Sequence, residues 1–344
     1  MVKLPSNVQK NAATEYLLSQ GLTLISQGKV RNTFRIDDET LLVVATDRIS
    51  IFDFVLPTLI QGKGEILTAL THFWLTEVIK GLASHLVSSR KNNGLNAIHD
   101  FAEKYPGIKP YLGRCLVIED LTGALDPFEL IFRHHLGGSV FKKYQETGMA
   151  GGHKLEPHLP QWSKLPIPIF TPSTKAEVGH DVNVDAKYYY QEMQEQKGIH
   201  PKDWIDKLIN AYMLAYQYAL KKRILILDTK FEGSGELNVL ADEILTPDSS
   251  RFVDIADWED AMSAGKNPRF MDKEVIRQWG AKVVTPMGTG IKTLNPENEE
   301  HLNFVENLDV PETYINQVIS TYHLIFKKLT GKALITYQQE NMGM

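Results

Sequence analysis

Apolar and polar positions change period several times along the chain, and each change marks an element. Short apolar or alternating runs at Leu22–Ile25, Lys29–Ile36 and Leu41–Thr46, with turns at Gln27-Gly28 and Asp37-Asp38-Glu39, predict an antiparallel β-meander. From Glu65 to Ile79 the spacing becomes helical, with Ile66, Leu67, Leu70, Phe73, Trp74 and Leu75 on one face. Arg114–Glu119 and Phe128–Arg133 read as strands either side of a Thr122-Gly123…Asp126-Pro127 loop, and Ser139–Glu146 as a short helix. Residues 148–183 are rich in Gly, Pro and His, with Pro166, Pro168 and Pro172 around Ile169-Phe170; they read as a long loop, a class that is often functional. Pro201–Lys222 predicts a helix with Ile205, Leu208, Ile209, Tyr212, Met213 and Ala215 inward. Two apolar runs, Ile224–Leu227 and Leu237–Leu245, then flank a Gly233-Ser234-Gly235 turn, the pattern of a β-hairpin. Asn267–Trp279 and Pro311–Leu329 predict two closing helices.

This order is not the regular βαβ alternation of a doubly wound sheet, and it predicts an α+β fold. Two lobes are expected: a β-rich N-terminal lobe over residues 1–120, and a larger α+β lobe over residues 121–344. A cleft between lobes is a common ligand site.

At 344 residues the chain has room for two domains or one large one, with ample core. Its 37 basic residues against 42 acidic ones leave a net charge of −5, so no general affinity for nucleic acid follows, and an anionic substrate needs a local basic pocket. The single cysteine, Cys115, permits no internal disulfide and points to a reducing compartment. It lies in the apolar run Arg114–Ile118 and reads as a buried small hydrophobe, not a nucleophile. The N-terminus lacks a hydrophobic signal region, and no apolar run approaches the ~20 residues that cross a bilayer. A soluble cytoplasmic protein without a membrane partner is expected.

The predicted hairpin concentrates the chemistry. Asp228 and Glu232 lie on its first arm, Asp242 and Glu243 on its second, and Lys230 between the first pair. Opposed residues of a hairpin approach to ~5 Å, so Glu232 and Asp242 are expected to face each other. Two carboxylates that close repel unless a cation sits between them, and a hard oxygen-seeking ion such as Mg²⁺ suits. Thr246-Pro247-Asp248-Ser249-Ser250-Arg251 follows, dense in hydrogen-bonding groups. A plain surface ribbon with solvated charges is the competing reading, but both arms are too apolar for full exposure.

Other segments leave alternatives open. Gly28-Lys29-Val30-Arg31 suits close backbone approach and a point charge on phosphate, or a solvent-facing lysine. Thr46-Asp47-Arg48-Ile49-Ser50 lies at a strand end suited to ligand contact, or closes a turn with an Asp-Arg pair. In Arg133-His134-His135-Leu136-Gly137-Gly138-Ser139, Ser139 either caps the helix or joins the backbone amides and Arg133 in holding an anion. His134 and His135, adjacent in a strand, face opposite ways and form no metal pair. The hydroxyls, Lys175 and carboxylates of Phe170–Glu177 and Gly179–Asn183 suit a lid over phosphates or a solvated loop. Lys273 and Arg277, four apart on a predicted helix, share a face that is either a ligand contact or solvated. There is no GxxxxGK[ST], no HExxH, no paired Cys ligands and no Ser-His-Asp order. Phosphoryl transfer with a divalent metal is the chemistry suggested.

GKVRNTF at 28–34, ATDRISIFD at 45–53, KGEILT at 63–68, IFRHHLGGS at 131–139, IFTPSTKAE at 169–177, DTKFE at 228–232 and ADEILTPDSSRF at 241–252 occur in one order. Together they closely resemble the SAICAR synthetase family (phosphoribosylaminoimidazole-succinocarboxamide synthases), from about residue 20 to Gly331. The resemblance implies an ATP-dependent, Mg²⁺-requiring ligase of purine biosynthesis with a kinase-like or ATP-grasp-like nucleotide cleft. It would join the carboxylate of carboxyaminoimidazole ribonucleotide (CAIR) to the amine of L-aspartate through an acyl phosphate, giving SAICAR, ADP and phosphate. It further implies that Lys29, Arg31 and Lys175 contact ATP, that the edge strand at Val117–Asp120, with Glu119, presents backbone to adenine, and that Glu232 and Asp242 hold the metal. Lys230, Arg251 and Asp248 would be catalytic; Asp47, Arg48, Ser50, Arg133, Gly138, Ser139, Ser249, Ser250, Lys273 and Arg277 would bind substrate. Members differ in oligomeric state, so a homo-oligomer stays open. The family turn reads Ala-Ala-Gly-Ser or Ile-Thr-Gly-Ser where this chain has Leu136-Gly137-Gly138-Ser139, and Phe-Glu-Phe-Gly where it has Phe231-Glu232-Gly233-Ser234. A small-metabolite kinase and a non-catalytic nucleotide-binding protein are the competing functional readings.

Overall fold

The computed structural model describes residues 3–86, 94–175 and 181–344, with the side chains of residues 94–96 excepted. Its contacts divide the chain into two units. One comprises Met1–His72, His85–Asp120 and Asp272–Met344; the other comprises Phe73–Ser84 and Leu121–Met271.

In the first unit the N-terminal meander forms as β1 (Leu24–Gln27), β2 (Arg31–Arg35) and β3 (Thr40–Ala45), followed by the hairpin β4 (Arg48–Ile51) and β5 (Phe54–Leu59). The strand β6 (Cys115–Glu119) completes an antiparallel sheet in the order β1-β2-β3-β6. Phe34, Leu42, Val44, Cys115 and Val117 point into one core with Leu17, Phe101, Ile108 and Leu112. Alternation along the strands thus buries one face of the sheet against helices. Cys115 is 1% exposed there, and burial pushes its thiol up to about 12, the inert state expected of it. The helix Lys63–Phe73 belongs to this unit up to His72, and the turn of π-helix that follows at Trp74–Val78 belongs to the other.

Residues 272–344 were expected in the second lobe, but they cluster with the first unit. The reason is apolar and polar packing. Gly280 lies so close to Ile51 of β4 that an added Cβ would come within 2.4 Å of its side chain. Tyr337 and His72 are within hydrogen-bond distance, 3.0 Å, and both are buried.

The second unit is built on a six-stranded antiparallel sheet. Its strands are β7 (Phe128–His135), β10 (Lys164–Phe170), β11 (Ser173–Thr174), β12 (Ile224–Ser234), β13 (Val239–Ala241) and β14 (Ser250–Asp254), while β8 (Met149–Ala150) and β9 (His153–Lys154) pair as a separate short hairpin. The main path runs β10-β7-β12-β13, with β11 on β7 and β14 on β12. The helix Lys202–Lys221 covers one face through Trp204, Leu208, Tyr212 and Tyr216, and Tyr212 Oη donates to Ile226 O at 2.7 Å.

Several sequence expectations shift. The loop predicted over 148–183 contains β10, which tolerates Pro166 and Pro168 because it is an edge strand that need not donate from every residue. Helices Ala186–Lys197 and Ile255–Ala264 were not predicted. The helix predicted over 267–279 spans only Glu274–Gly280, because Phe270 bridges to Val253 and Met271 N donates to Phe252 O. The hairpin turn lies at residues 235–238, not at Gly233-Ser234-Gly235, which continues the strand as far as Ser234. Gly233 is needed there for space: a Cβ would come within 2.6 Å of Val239 O and 2.7 Å of the Trp204 ring. Gly233→Ala should therefore destabilise the second unit by about 1–3 kcal/mol through overpacking, read as a lower midpoint in urea unfolding. An unchanged midpoint would show that Trp204 yields.

Candidate active site

Period-2 alternation places Asp228, Lys230 and Glu232 on one face of β12, with Thr229 and Phe231 on the other. In the sheet register, Asp228 lies opposite Arg133 of β7 on one side and Arg251 of β14 on the other. One carboxylate oxygen, Asp228 Oδ2, accepts from both guanidinium groups: from Arg133 Nη1, and from Arg251 Nη1 at 2.6 Å. Arg133 is buried, and its remaining donors reach Thr171 Oγ1 at 2.9 Å, Gly137 O at 3.3 Å and Ser139 Oγ at 3.4 Å. Burial pulls the Arg133 pKa down and Asp228 acts against it. Arg251 lies over the Trp162 ring at 5.5 Å. Gly138, at φ 66°, lies beside both guanidinium groups, where a Cβ would come within 3.0 and 3.1 Å of their nitrogens.

Two residues along β12, Lys230 Nζ donates to Glu129 Oε1 at 2.7 Å and to Glu232 Oε1 at 3.4 Å. Lys175 Nζ reaches the other oxygen of Glu232 at 2.5 Å. Burial alone would lower the Lys230 pKa, but Glu232, Glu129 and Asp242 outweigh it and hold the ammonium above the ordinary lysine value. Lys230 is therefore a fixed cation and a poor base.

The register differs from the one expected at this point. Glu232 lies opposite Ala241, not Asp242. Asp242 follows β13 in left-handed conformation, φ 61°, and Leu245 repeats it at φ 52°. Such conformations are strained for side chains other than glycine and cluster at functional sites. The two carboxylates reach the cluster around Lys230 by different routes, one from a strand and one from the turn after a strand. Among the described residues no group of three or more His, Cys, Asp or Glu is arranged to hold a metal.

The turn after Leu245 is self-satisfied. Thr246 Oγ1 donates to Glu243 Oε2 at 3.0 Å and accepts from Asp248 N at 3.2 Å, and Ser249 Oγ accepts from Thr246 N. Ser249 O accepts from Lys230 N at 2.9 Å, tying the turn to β12. Ser250 is buried, with its hydroxyl 2.7 Å from Thr229 Oγ1, so it ties β14 to β12. Ser139 starts the helix Val140–Thr147 without capping it; its hydroxyl donates to Asn183 Oδ1 at 3.0 Å. Of the expected lid, Ala176, Glu177, Gly179 and His180 lie outside the described residues.

In the first unit, Lys29 extends from the turn between β1 and β2, and its Nζ pairs with Asp53 Oδ1 at 2.5 Å. Asp53 and Phe52 form the β4–β5 turn, both at positive φ (69° and 49°). Arg31 starts β2 and is half-buried, as is Ser50 in β4. Arg48 and Asp47 were expected to touch substrate, but both are committed to the protein. Arg48 is 1% exposed, and its fork donates to Lys29 O and Gly28 O, each at 3.0 Å, and to Asn32 Oδ1 at 2.8 Å. Asp47 accepts from Gly64 N at 2.9 Å, at the start of the helix Lys63–Phe73, and pairs with Arg114 at 3.4 Å. Val117 is buried in the core, and the amides of Glu119 and Asp120 already donate to His85 O and Glu39 O. Backbone presentation along β6 is thus narrower than expected. Lys273 precedes the helix Glu274–Gly280, and Arg277 on it pairs with Glu274 at 3.5 Å.

A model of one protein family, described as SAICAR synthetase, matches residues 24–294. The chain belongs to the SAICAR synthetase family. It is 37% identical over 332 residues to the phosphoribosylaminoimidazole-succinocarboxamide synthase of Thermodesulfovibrio yellowstonii, covering 94% of this chain and 100% of that one. A solved SAICAR synthase from Saccharomyces cerevisiae, complexed with SAICAR, is 32% identical with a TM-score of 0.71, covering 91% of this chain and 96% of that one. A SAICAR synthetase solved in complex with ADP, 22% identical with a TM-score of 0.56 and 90% and 98% coverage, supports the fold. As a SAICAR synthetase the chain is an ATP-dependent ligase of purine biosynthesis, and the kinase reading is not favoured.

Sequence reasoning missed two residues of this SAICAR synthetase cluster, Glu129 and Trp162, and placed Thr171 in a lid where its hydroxyl in fact accepts from Arg133 Nε. Glu129 is the one with a readable signal, since it lies four residues before Arg133 in an alternating strand and so on the same face.

His134 and His135 are both buried beside Tyr216, and His135 also meets the Trp258 ring. Burial first, and then the Lys164 charge, depress His134 to about 4; burial, His134 and Lys164 depress His135 to about 3. Each folded-state value lies below the ordinary 6.5, so the unfolded chain binds more protons as pH falls. Stability should hold above pH 6.5 and fall towards pH 3–4, by up to about 1.4 kcal/mol per pH unit for each histidine. Urea unfolding at several pH values between 7.5 and 5 should show a shallower pH slope for His135→Phe than for the natural chain; equal slopes would refute the assignment.

Proposed function

We propose that this ligase activates the carboxylate of CAIR as an acyl phosphate and then couples it to the amine of L-aspartate. In the first step a carboxylate oxygen attacks the γ-phosphorus of ATP, and the bond to ADP breaks. In the second the amine attacks the acyl carbon, the C–O bond to phosphate breaks with its electron pair on phosphate, and the amine loses a proton to water or the departing phosphate. Activation is chemically required, because a carboxylate is a poor electrophile with oxide as its leaving group, and phosphate, which leaves readily, supplies it.

The observation that supports this best is the separation of charge along one face of β12. Two guanidinium groups share one carboxylate at Asp228. Two residues on, the Lys230 ammonium lies among acids. Arg133 and Arg251 hold an anionic group of a substrate, assisted by Gly138, Ser139 and Ser249. Lys230, fixed as a cation, stabilises negative charge on the transferring phosphoryl group and does not take the amine proton. Lys29, Arg31 and Lys175 are assigned to ATP phosphates, β6 at Val117 and Glu119 to adenine, and Ser50, Lys273 and Arg277 to further substrate contacts. Asp248 completes the turn that carries Arg251. Arg48 acts through the Gly28–Lys29 turn it holds, and Asp47 through Arg114 and the start of the helix Lys63–Phe73.

Glu232 and Asp242 are the residues that would hold Mg²⁺. The donor set fits: Mg²⁺ takes one or two carboxylates and completes its shell with substrate phosphates and water. When bound, the ion neutralises charge developing on the γ-phosphoryl oxygens.

Purified protein with Mg²⁺-ATP and CAIR should release ADP only when L-aspartate is added, with SAICAR as product; release that ignores aspartate would overturn the ligase assignment. Glu232→Gln should lower turnover by about two orders of magnitude or more while the unfolding midpoint stays put. A near-natural rate in that variant would remove Glu232 from the metal site. Arg251→Ala should lower kcat/KM for CAIR or aspartate far more than it changes ATP affinity, and equal losses would argue against its place.

A further inference from the structure

The arginine pair needs explaining in its own right. Two like charges on strands either side of β12 repel, and in a buried setting that repulsion is weakly screened. Three features of the second unit hold them together. Asp228 Oδ2 accepts from both guanidinium groups, and Asp228 is 4% exposed. The sheet register puts Asp228 directly opposite each arginine, so the bridge is set by backbone pairing and not by chance rotamers. The Trp162 ring lies under Arg251, and Trp162 is itself anchored, with Nε1 donating to Asn267 Oδ1 at 2.9 Å. Gly137 also packs closely against Trp162: a Cβ there would come within 2.1 Å of its ring. Trp162 has φ 68°, a strained conformation for an aromatic residue.

We propose that Asp228 and Trp162 are positioning residues: one carboxylate oxygen and one indole face hold Arg133 and Arg251 side by side as a single clamp for an anionic group of the substrate. Asp228 uses one carboxylate oxygen for both guanidinium groups, so their other donors point away from it and can meet an incoming phosphate or carboxylate as a fork. Asp228 therefore makes the clamp possible without cancelling it. Glycine at 137 and 138 follows from the same requirement, because a side chain at either position would strike Trp162 or the guanidinium nitrogens.

This inference rests on the ligase reading for its kinetic test but not for its binding test. In steady-state kinetics on the full chain, Asp228→Asn should raise KM for CAIR or for aspartate by about tenfold or more, with KM for ATP changed less than about twofold. Trp162→Leu should move the same KM, and Trp162→Phe, which keeps a ring under the guanidinium, should move it less. A merely structural role would instead lower the thermal midpoint and shift all three KM values together, and that pattern, or no KM change at all, would overturn the proposal. Inorganic sulfate supplies the arm that is independent of the reaction. It should raise the thermal midpoint of the natural chain in a concentration-dependent way and do so much less in Asp228→Asn and Trp162→Leu; equal shifts in all three, or none in the natural chain, would overturn the clamp. If the natural chain shows no aspartate-dependent ADP release yet sulfate discriminates the variants, the ligase reading fails and the clamp stands.

Discussion

The second unit depends on β12 being a fully paired strand. It is bonded to β14 from Ile224 to Thr229, to β7 from Asp228 to Phe231 and to β13 from Glu232 to Ser234, so its side chains cannot move away from their neighbours by slipping register. A one-residue slip would exchange Asp228, Lys230 and Glu232 for Thr229 and Phe231 and bury three charges against the helix Lys202–Lys221. The apolar face therefore fixes the charged face. Phe132, Phe231 and Tyr212 pack on one side, and the price of displacing them keeps the ionic groups in their places on the other.

The first unit applies the same logic to main chain. Its turn at Gly28–Lys29 has carbonyl groups that no strand partner takes, and the buried Arg48 fork supplies the donors. Asn32 links that fork onward to Thr14 on the helix Ala12–Ser19, with Asn32 Nδ2 donating to Thr14 Oγ1 at 2.8 Å. An arginine buried at such a point lowers its own pKa, here to about 10, and still remains charged at neutral pH. It is a rigid strut. Lys29 can then extend from a turn whose backbone does not move, with Asp53 holding its ammonium.

Much of this was legible in sequence because it follows from period. The Asp-Thr-Lys-Phe-Glu alternation places three charges on one face of any strand, and the helix Lys202–Lys221 was readable from its apolar spacing. What was not legible depended on tertiary partners. Gly233-Ser234-Gly235 carries the composition of a turn, yet Gly233 is small because Trp204 and Val239 crowd it, so the turn moved to residues 235–238 and the Glu232–Asp242 opposition became Glu232–Ala241. Prolines in 164–170 signalled a loop, but an edge strand tolerates them. Asp47-Arg48 had the residue types of a ligand site, and only burial showed the arginine turned inward. Trp162, from the same supposed loop, had no local signal at all.

The arrangement also explains why a reaction with two anionic partners and a nucleotide can be organised by so few groups. Residues two apart on a strand are separated by about 6.5–7 Å along it. At one end of that interval Arg133 and Arg251 share Asp228, the end proposed to take an anion. At the other, Glu129, Glu232 and Asp242 outnumber Lys230 and Lys175 and attract a cation. Under the proposed acyl-phosphate route, a carboxylate brought up to a phosphate would need an anion site and a cation site at about that spacing. The two sites must also not neutralise each other. On β12 they are kept apart because Asp228 is already saturated by two guanidinium groups and Lys230 by acids, so neither reaches across to the other.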